Sequence, residues 1–310
     1  MQIKVVNAKK PLIVDIKGNS LDDGPGIRAV VFFKGCPLSC VWCHNPECKS
    51  PKLEISFNKR ECVGCKTCKQ VCPTDALDSW LYGYIDRNKC TLCMKCADAC
   101  PSGALSRAGK AYEVREVIEI IHKDLPFFKV SNGGVTLSGG EPTLFIDYCS
   151  ELLRQLKSLG IHTLIETSGL FHYGHFLDLI YPHIDIIYYD IKLLNAEDHK
   201  RYCGVPNELI LSNFIALQTQ FLKGGKPVLP RIPLVPGITA TEDNLRSIAN
   251  FLRAERVKQV AVLPYNPLWI EKSETVGERN LYATKDEMRK WMPTEQVKMC
   301  QSFFSDFELV

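Results

Sequence analysis

Long apolar runs, a strong net charge and an export signal are all missing from this chain of 310 residues. No apolar stretch approaches the roughly 20 residues needed to cross a bilayer, so we expect no membrane association. The net charge is only +3 and no long basic run occurs, which argues against a nucleic-acid partner. Residues 1–10 lack the apolar core of a signal peptide, so the sequence predicts a cytoplasmic protein.

Cysteine, by contrast, is abundant: the chain has 15. Most of them fall into three short-spaced clusters, and cysteines this close together suit metal ligation better than cross-linking of distant segments. We therefore expect a reducing compartment and iron–sulfur clusters, with structural zinc as the alternative. A chain of this length also exceeds the usual size of one hydrophobic core, which favours two domains or one domain with an insert.

The first cluster is a loop with the spacing C-x3-C-x2-C, formed by Cys36, Cys40 and Cys43 directly after the apolar run Ala29–Phe33. Three thiolates leave a four-coordinate metal or an iron–sulfur cube one ligand short. A structural site normally closes that position, whereas a catalytic site keeps it open. The spacing therefore predicts a catalytic cluster, and a structural zinc knuckle is the alternative.

The other two clusters form an internal repeat with an offset of 90 − 62 = 28 residues, inside a segment that runs from about Lys52 to Lys110. Both halves read C-x2-C-x2-C-x3-C-P, the bacterial two-cluster ferredoxin run, in which the fourth cysteine ligates the other cluster. Zinc ribbons use two separated CxxC pairs and do not need the Cys-Pro ending. The repeat therefore predicts two [4Fe–4S] clusters, one on Cys62, Cys65, Cys68 and Cys100 and the other on Cys90, Cys93, Cys96 and Cys72.

Outside this segment, strand and helix patterns alternate about six times, which predicts a parallel sheet. The pattern alone does not choose between a closed barrel, a partial barrel and a doubly wound sheet. Polar or glycine-rich groups follow several predicted strands, which fits one shared site at their carboxyl ends. The predicted strands are 13–16 (at an edge), 29–33, 135–138, 163–167, 184–192, 228–237 and 260–264. The predicted helices are 113–125, 145–159, 173–180, 209–221, 241–255 and one from about 285.

Several motifs carry a family resemblance. The Cys36–Cys43 loop together with Gly139-Gly-Glu-Pro142 resembles the radical S-adenosylmethionine superfamily. Further motifs narrow the resemblance to the activating enzymes of glycyl-radical enzymes, and it covers nearly the whole chain. These motifs are Asp23-Gly-Pro-Gly-Ile-Arg28, Cys43-His-Asn-Pro46, Asp190-Ile191-Lys192 and Arg231-Ile-Pro-Leu-Val-Pro-Gly237.

The resemblance implies an α/β fold with a partial (β/α)6, TIM-like radical-SAM barrel at residues 1–51 and 111–310. An inserted bacterial 2[4Fe–4S] ferredoxin-like domain would occupy residues 52–110. The implied reaction is reductive cleavage of S-adenosylmethionine to methionine and a 5′-deoxyadenosyl radical, which abstracts hydrogen from a glycine α-carbon of a partner glycyl-radical enzyme. The implied cofactors are three [4Fe–4S] clusters, with flavodoxin or ferredoxin as electron donor.

Two other functions compete with this one. A radical-SAM enzyme with another substrate is disfavoured by the Asp23–Arg28 turn and the Val235–Gly237 segment. An electron-transfer protein of ferredoxin type, carrying a degenerate barrel, is disfavoured by the intact Gly139–Glu141 motif and the three-cysteine loop.

The resemblance also implies roles for individual residues. Cys36, Cys40 and Cys43 would hold the catalytic cluster, and Asp23 and Arg28 would receive the partner's glycine loop. Asn266 stands where the family often has histidine, and asparagine could still hydrogen-bond ribose. Thr167 follows Glu166 at a position where some members have Asp-Thr beside a monovalent cation. Cys48, Cys149, Cys203 and Cys300 lie outside the clusters and are expected to be ordinary small apolar residues. The remaining S-adenosylmethionine contacts would be Trp42 and His44 at adenine, Gly139, Gly140 and Glu141 at the amino group, and Asp190, Ile191, Lys192 and Arg231 at ribose and carboxylate.

Overall fold

The computed structural model describes residues 10–310. Its strands are β1 Leu12–Ser20, β2 Arg28–Lys34, β3 Glu54–Phe57, β4 Leu105–Ala108, β5 Lys110–Ala111, β6 Gly134–Gly139, β7 His162–Thr167, β8 Ile186–Asp190, β9 Val228–Pro233, β10 Gln259–Leu263 and β11 Glu308–Leu309. Its α-helices are α1 Thr67–Val71, α2 Lys95–Asp98, α3 Val114–Ile121, α4 Leu125–Ser131, α5 Ile146–Ser158, α6 Tyr173–Leu179, α7 Ala196–Cys203, α8 Glu208–Leu222, α9 Glu242–Ala254, α10 Trp269–Thr275 and α11 Thr294–Ser302.

Nine strands form one mixed sheet in the order β11-β10-β9-β8-β7-β6-β2-β1-β5. The strands from β2 through β6 to β10 and β11 are parallel, whereas β1 is antiparallel to both β2 and β5. The predicted parallel sheet is therefore present, with an antiparallel extension at one side. The strand predicted around Ile13–Ile16 is longer than expected and lies one place inside the edge, because β5 pairs with it.

Burial follows the strand and helix patterns. Strand β2 is buried along nearly its whole length, as expected for a parallel strand covered on both faces. Helix α5 buries Cys149, Leu152, Leu153 and Leu156, the three- and four-residue spacing of one helical face. Helix α9 begins after Thr241, whose side chain accepts a hydrogen bond from the amide of Asn244, so the predicted N-cap is confirmed.

Two helix predictions need correction, and α7 and α10 are among the helices that the sequence did not predict. The helix expected over 113–125 ends at Ile121 and is followed by a separate helix, α4. Helix α7 gave no signal because half of its eight residues are charged and few are apolar. The helix expected from about residue 285 begins only at Thr294, after a 3-10 turn at Asp286–Arg289.

Residues 54–108 have a small apolar cluster and a two-stranded sheet of their own. Strands β3 and β4 pair antiparallel above a cluster of Ile55, Leu77, Ile85, Met94, Cys96 and Leu105. The sequence repeat is also a repeat of backbone shape, since Lys66 and Met94 both take a left-handed conformation directly before α1 and α2.

Among residues 10–310, no helix combines the length and apolarity needed to cross a membrane.

Candidate active site

The three-cysteine loop begins where β2 ends and is fastened to the glycine turn that follows β6. The amide of Gly140 donates to the carbonyl of Phe33 at 2.8 Å, and the amide of Glu141 donates to the carbonyl of Gly35 at 2.8 Å. The loop then returns on itself, because the amide of Gly35 donates to the carbonyl of Cys48 at 2.7 Å. Adjacent parallel strands thus bring the cysteine loop and the Gly139–Glu141 turn into direct contact.

Both glycines of this turn are required by space, and Gly139 is required by its backbone conformation as well. Gly139 has φ +98°, and a β-carbon there would lie 2.5 Å from the amide nitrogen of Phe33. A β-carbon on Gly140 would lie 2.1 Å from the carbonyl oxygen of Gly35. Glycine at these positions therefore lets the turn approach the cysteine loop at backbone distance.

Of the three cysteines of the loop, Cys40 is buried and Cys36 and Cys43 are half-buried. Burial, followed by the proximity of Cys40, raises the pKa of both Cys36 and Cys43, that of Cys43 to about 12. Iron takes cysteine as thiolate, so ligation here would release the protons that burial otherwise retains. This donor set fits the three cysteine ligands of an iron–sulfur cube.

Cys203 lies against the cysteine loop, a position that the sequence pattern did not predict. Its carbonyl accepts from the amide of Ser39 at 2.9 Å, and the carbonyl of Tyr202 accepts from the amide of Val41 at 3.0 Å. A hydrogen bond from Cys203 lowers the pKa of Cys40 against the opposing effect of burial. The end of α7 therefore packs on the cysteine loop, whereas Cys149 and Cys300 are buried elsewhere in the core, as expected of small apolar residues.

Within residues 10–310, no three His, Cys, Asp or Glu side chains are arranged to hold a single metal ion. A structural zinc ion needs four ligands converging on one point. An iron–sulfur cube instead takes one thiolate at each ligated corner, so its ligands surround a larger group.

Glu141 is completely buried and its carboxylate already has several donors. Oε1 accepts from the hydroxyls of Thr143 at 2.7 Å and Thr167 at 2.9 Å, and Oε2 accepts from the amide and hydroxyl of Ser168 at 2.7 and 2.6 Å. The side chain therefore ties the end of β6 to the end of β7. Gly139 and Gly140 remain partly accessible, so the accessible part of this motif is the backbone of the turn.

A balanced ionic network lies at the carboxyl ends of β7, β8 and β9. Arg231 donates to Asp190 Oδ1 at 2.9 Å and also to Glu166, and Lys192 donates to Asp190 Oδ2 at 3.1 Å. Ser138 at the end of β6 donates to the other oxygen of Glu166 at 2.6 Å. Burial alone would raise the pKa of Asp190, but the charges of Arg231 and Lys192 outweigh it and hold that pKa below its ordinary value.

Glu166 is a member of this network that sequence reasoning placed only beside a cation site. The acidic side chain is already paired with Arg231, while the neighbouring Thr167 bonds to Glu141. The sequence did carry a signal for this role: Glu166 lies near the end of a predicted strand, and the strands on either side of it also end in polar residues. The predicted monovalent cation stays a prediction.

The Asp23–Arg28 turn presents one of its two charged side chains outward. Arg28 is fully buried: Nε donates to the hydroxyl of Thr136 at 2.6 Å and Nη2 donates to the carbonyl of Val135 at 2.7 Å. Burial lowers its pKa to about 10. Asp23 is partly exposed and bonds to Ser20. Arg28 therefore braces the turn from inside, and a direct contact with another protein is available to Asp23.

The other predicted contact residues differ in accessibility. Trp42 is packed into the main core, and Ile191 is equally buried, with its amide donating to the carbonyl of Arg231 at 2.9 Å. His44 is exposed, and its carbonyl accepts from Lys272 at 3.1 Å. Asn266 is partly exposed and accepts from the amide of Leu268 at 2.9 Å, which leaves its amide group free to donate.

The cysteines of the repeat are far more exposed than those of the loop. Cys62, Cys65 and Cys93 are exposed and Cys96 is buried. The two cysteines that precede proline each accept a backbone hydrogen bond: Ala76 donates to Cys72 Sγ at 3.3 Å, and Leu105 donates to Cys100 Sγ at 3.4 Å. Backbone donors aimed at sulfur are a general feature of iron–sulfur ligation.

Comparison with known proteins agrees with this geometry. Residues 22–188 match a family described as a 4Fe-4S single cluster domain. The chain is 36% identical over 277 residues to the choline trimethylamine-lyase activating enzyme of Oleidesulfovibrio alaskensis, covering 87% of this chain and 88% of the relative. It is 37% identical over 270 residues to the trans-4-hydroxy-L-proline dehydratase activating enzyme of Clostridioides difficile, covering 86% and 88%. The chain belongs to the glycyl-radical enzyme activating enzymes.

This activating enzyme also shares its fold with a solved structure of low sequence identity. A radical SAM methyltransferase from Sphaerobacter thermophilus matches with a TM-score of 0.53 at 12% identity, covering 96% of this chain and 76% of that one. At that identity the likeness concerns the α/β fold alone. The family resemblance drawn from the motifs is confirmed by the relatives, as is the choice of an S-adenosylmethionine-dependent radical activase over the two competing functions.

Proposed function

We propose that this chain cleaves S-adenosylmethionine at an iron–sulfur cluster held by Cys36, Cys40 and Cys43 and thereby installs a radical on a glycine of a partner enzyme. The main support for the proposal is that backbone hydrogen bonds join the start of the cysteine loop directly to the Gly139–Glu141 turn. In this proposal the open corner of a three-thiolate cluster would lie beside the backbone groups of the turn, which could bind the amino group of the substrate. When bound, the cluster supplies the electron that breaks the carbon–sulfur bond of the sulfonium.

The architecture we propose around this site is a partial (β/α)6 barrel of residues 1–51 and 111–310. The order β2-β6-β7-β8-β9-β10 supports it, because each parallel strand lies beside the next one along the chain. Such an order winds the sheet in one direction, as in a barrel, whereas a doubly wound sheet reverses at a switch point. The polar groups at the carboxyl ends of β6 to β9 then face a common site.

Each polar group has a binding task in this proposal. The turn backbone at Gly139 and Gly140 receives the substrate amino group, while Glu141 holds that turn against Ser168. Lys192 and Arg231 carry the positive charge for the carboxylate, and Asp190 offers an acceptor for ribose hydroxyls. Asn266 and the backbone of His44 complete the nucleoside side, with Trp42 beneath as the aromatic wall.

The proposed insert, residues 52–110, carries two further clusters with the crossed ligation described above. Its exposed cysteines suit electron exchange with a protein donor such as flavodoxin or ferredoxin in the cytoplasm. The partner that receives the radical is a glycyl-radical enzyme, and Asp23 in its partly exposed turn is the group we place at its glycine segment.

An anaerobic assay tests the proposal directly. Reconstituted protein should contain about twelve irons per chain and should release 5′-deoxyadenosine from S-adenosylmethionine in the presence of dithionite. The Cys40→Ala variant should lose about four irons and all cleavage, whereas Cys65→Ala should retain dithionite-driven cleavage. Absence of 5′-deoxyadenosine from fully loaded protein would refute the function, and an iron content near four would refute the insert assignment.

A further inference from the structure

One short segment, residues 269–280, touches both the catalytic loop and the insert. We call it the clamp; it consists of α10 and the turn that follows. Trp269 anchors its beginning in the core, since the indole nitrogen donates to the hydroxyl of Tyr265 at 2.6 Å and that hydroxyl donates to the carbonyl of Met288 at 2.8 Å. The clamp therefore rests on the main body and is not a free loop.

On one side the clamp holds the part of the catalytic loop that follows Cys43. Lys272 Nζ donates to the carbonyl of His44 at 3.1 Å, to Asn45 Oδ1 at 3.2 Å and to Glu47 Oε1 at 3.2 Å. One cation thus gathers three acceptors within four residues of chain. Hydrogen bonds to a charged group are the stronger class in proteins.

Two more contacts join the clamp to the same loop. Asn280 Nδ2 donates to the carbonyl of Val41 at 2.6 Å, between Cys40 and Cys43. Glu278 pairs with Lys49 at 2.6 Å, and both side chains are partly buried. The clamp therefore contacts the loop between its last two cysteines and after them.

On the other side the clamp holds the insert. Glu271 pairs with Arg60, two residues before Cys62, and the hydroxyl of Tyr82 donates to the carbonyl of Glu278 at 3.2 Å. The backbones meet at two glycines: a β-carbon on Gly83 would lie 2.7 Å from the α-carbon of Gly277. Arg87, three residues before Cys90, packs its guanidinium against the same Gly277.

We propose that the clamp holds the insert in register with the catalytic cysteine loop, and that Lys272 is the residue that positions the Cys43–Glu47 segment. This inference rests on the cluster assignment proposed above. With the clusters bound, one electron taken up by the insert from a low-potential one-electron donor would pass to the catalytic cluster across a contact whose geometry the clamp sets. The clamp would thus govern both substrate binding at the loop and electron delivery to it.

The loop side is tested with Lys272→Met in the reconstituted full chain. We expect the KM for S-adenosylmethionine to rise about tenfold, the kcat to change little, and amide hydrogen exchange of residues 43–49 to accelerate. Lys272→Arg should restore most of the KM, because the cation is kept. Lys298→Met, at an exposed lysine of α11, is the matched control and should behave as the wild type. A Lys272→Met protein with unchanged KM and unchanged exchange would overturn the proposal.

The insert side is tested by a pair of glycine variants with the same backbone strain. Gly83 and Gly103 have φ +71° and +72°, but a β-carbon on Gly103 meets nothing within 4 Å, whereas one on Gly83 meets the clamp. We expect Gly83→Ala, but not Gly103→Ala, to slow the reduction of the catalytic cluster by insert clusters that were reduced beforehand. Freeze-quench EPR measures this rate. Equal rates in both variants, at full iron content, would overturn the coupling.

The design separates failure of the inference from failure of the proposed function. Iron content and 5′-deoxyadenosine release by the wild type report on the function, whereas hydrogen exchange at residues 43–49 reports on the clamp without any turnover. A wild type that cleaves S-adenosylmethionine while Lys272→Met leaves exchange and KM unchanged removes the clamp and keeps the function.

Discussion

The catalytic cysteine loop and the cysteine repeat are built on opposite principles. The loop lies against a nine-stranded sheet, and backbone hydrogen bonds from Gly140 and Glu141 hold its first residues in place. The repeat has a core of only six buried residues, and three of its cysteines are exposed. Apolar burial organises the first region, whereas the second has little of it, as expected if the two clusters proposed there supply much of its order.

Removing the iron should produce the largest difference between the two regions. In protein treated anaerobically with a chelator, we expect amide exchange to become fast throughout residues 62–104, while β6 and β8 keep their protection. The reason is that the repeat loses the ligand bonds that order it, but the sheet retains its core. Exchange measured by mass spectrometry checks this, and equal protection of both regions would show that the repeat folds without metal.

Gly140→Ala tests how closely the catalytic loop depends on the sheet. The new β-carbon would overlap the carbonyl of Gly35, so the loop must shift, and we expect S-adenosylmethionine cleavage to fall about 100-fold. Gly174→Ala is the control, because Gly174 lies in α6, its φ is not positive and a β-carbon there comes only within 3.3 Å of one imidazole carbon. Cleavage near the wild-type level in Gly140→Ala would contradict the close union of loop and turn.

Arg231→Met tests the buried network beside the loop. The change leaves Asp190 and Glu166 without their shared cation, and uncompensated buried charge costs about 3 kcal/mol of stability. Urea unfolding and the KM for S-adenosylmethionine should both report the loss. Arg154→Met removes an exposed pair with Glu151 and should cost less than about 1 kcal/mol. Similar losses in the two variants would mean that burial adds nothing to the network.

The smallest effect is expected at the surface of the repeat. Asp98→Asn removes the pair with Arg107, in which both side chains are about half exposed. Such pairs contribute less than about 1 kcal/mol, so iron content and the denaturation midpoint should stay at wild-type values. A marked loss of iron would reveal a role for this pair in holding the second half of the repeat.

Periodic segments of the sequence were predicted well, and short or charged ones were not. Strand β2 and helices α5, α8 and α9 match their predicted positions within one or two residues, because their apolar spacing reports the face that the core covers. Helix α7 escaped, since capping by Asn195 and packing against the cysteine loop, rather than an apolar stripe, hold it in place.

The site shows the same division. The cysteines were found from their spacing, because ligation needs thiols at particular intervals, whereas the roles of the glycine turn and of the strand-end charges came from the family resemblance. Glu166 as a partner of Arg231, Cys203 beside Cys40, and Lys272 below His44 were not found. Each meets its partner across a separation of more than 60 residues, and no local pattern records such a meeting.

The sequence by itself determined the spacing and grouping of the thiols, the approximate positions of the strands and the family that the motifs resemble. Only the tertiary structure decided which charged side chains are buried and which groups they pair with. It turned Arg28 and the carboxylate of Glu141 inward, where they brace the turns around the site. It also brought residues 269–280 between loop and insert. The physical reason is that ligand identity depends on residue type, whereas accessibility and pairing depend on how distant strands pack.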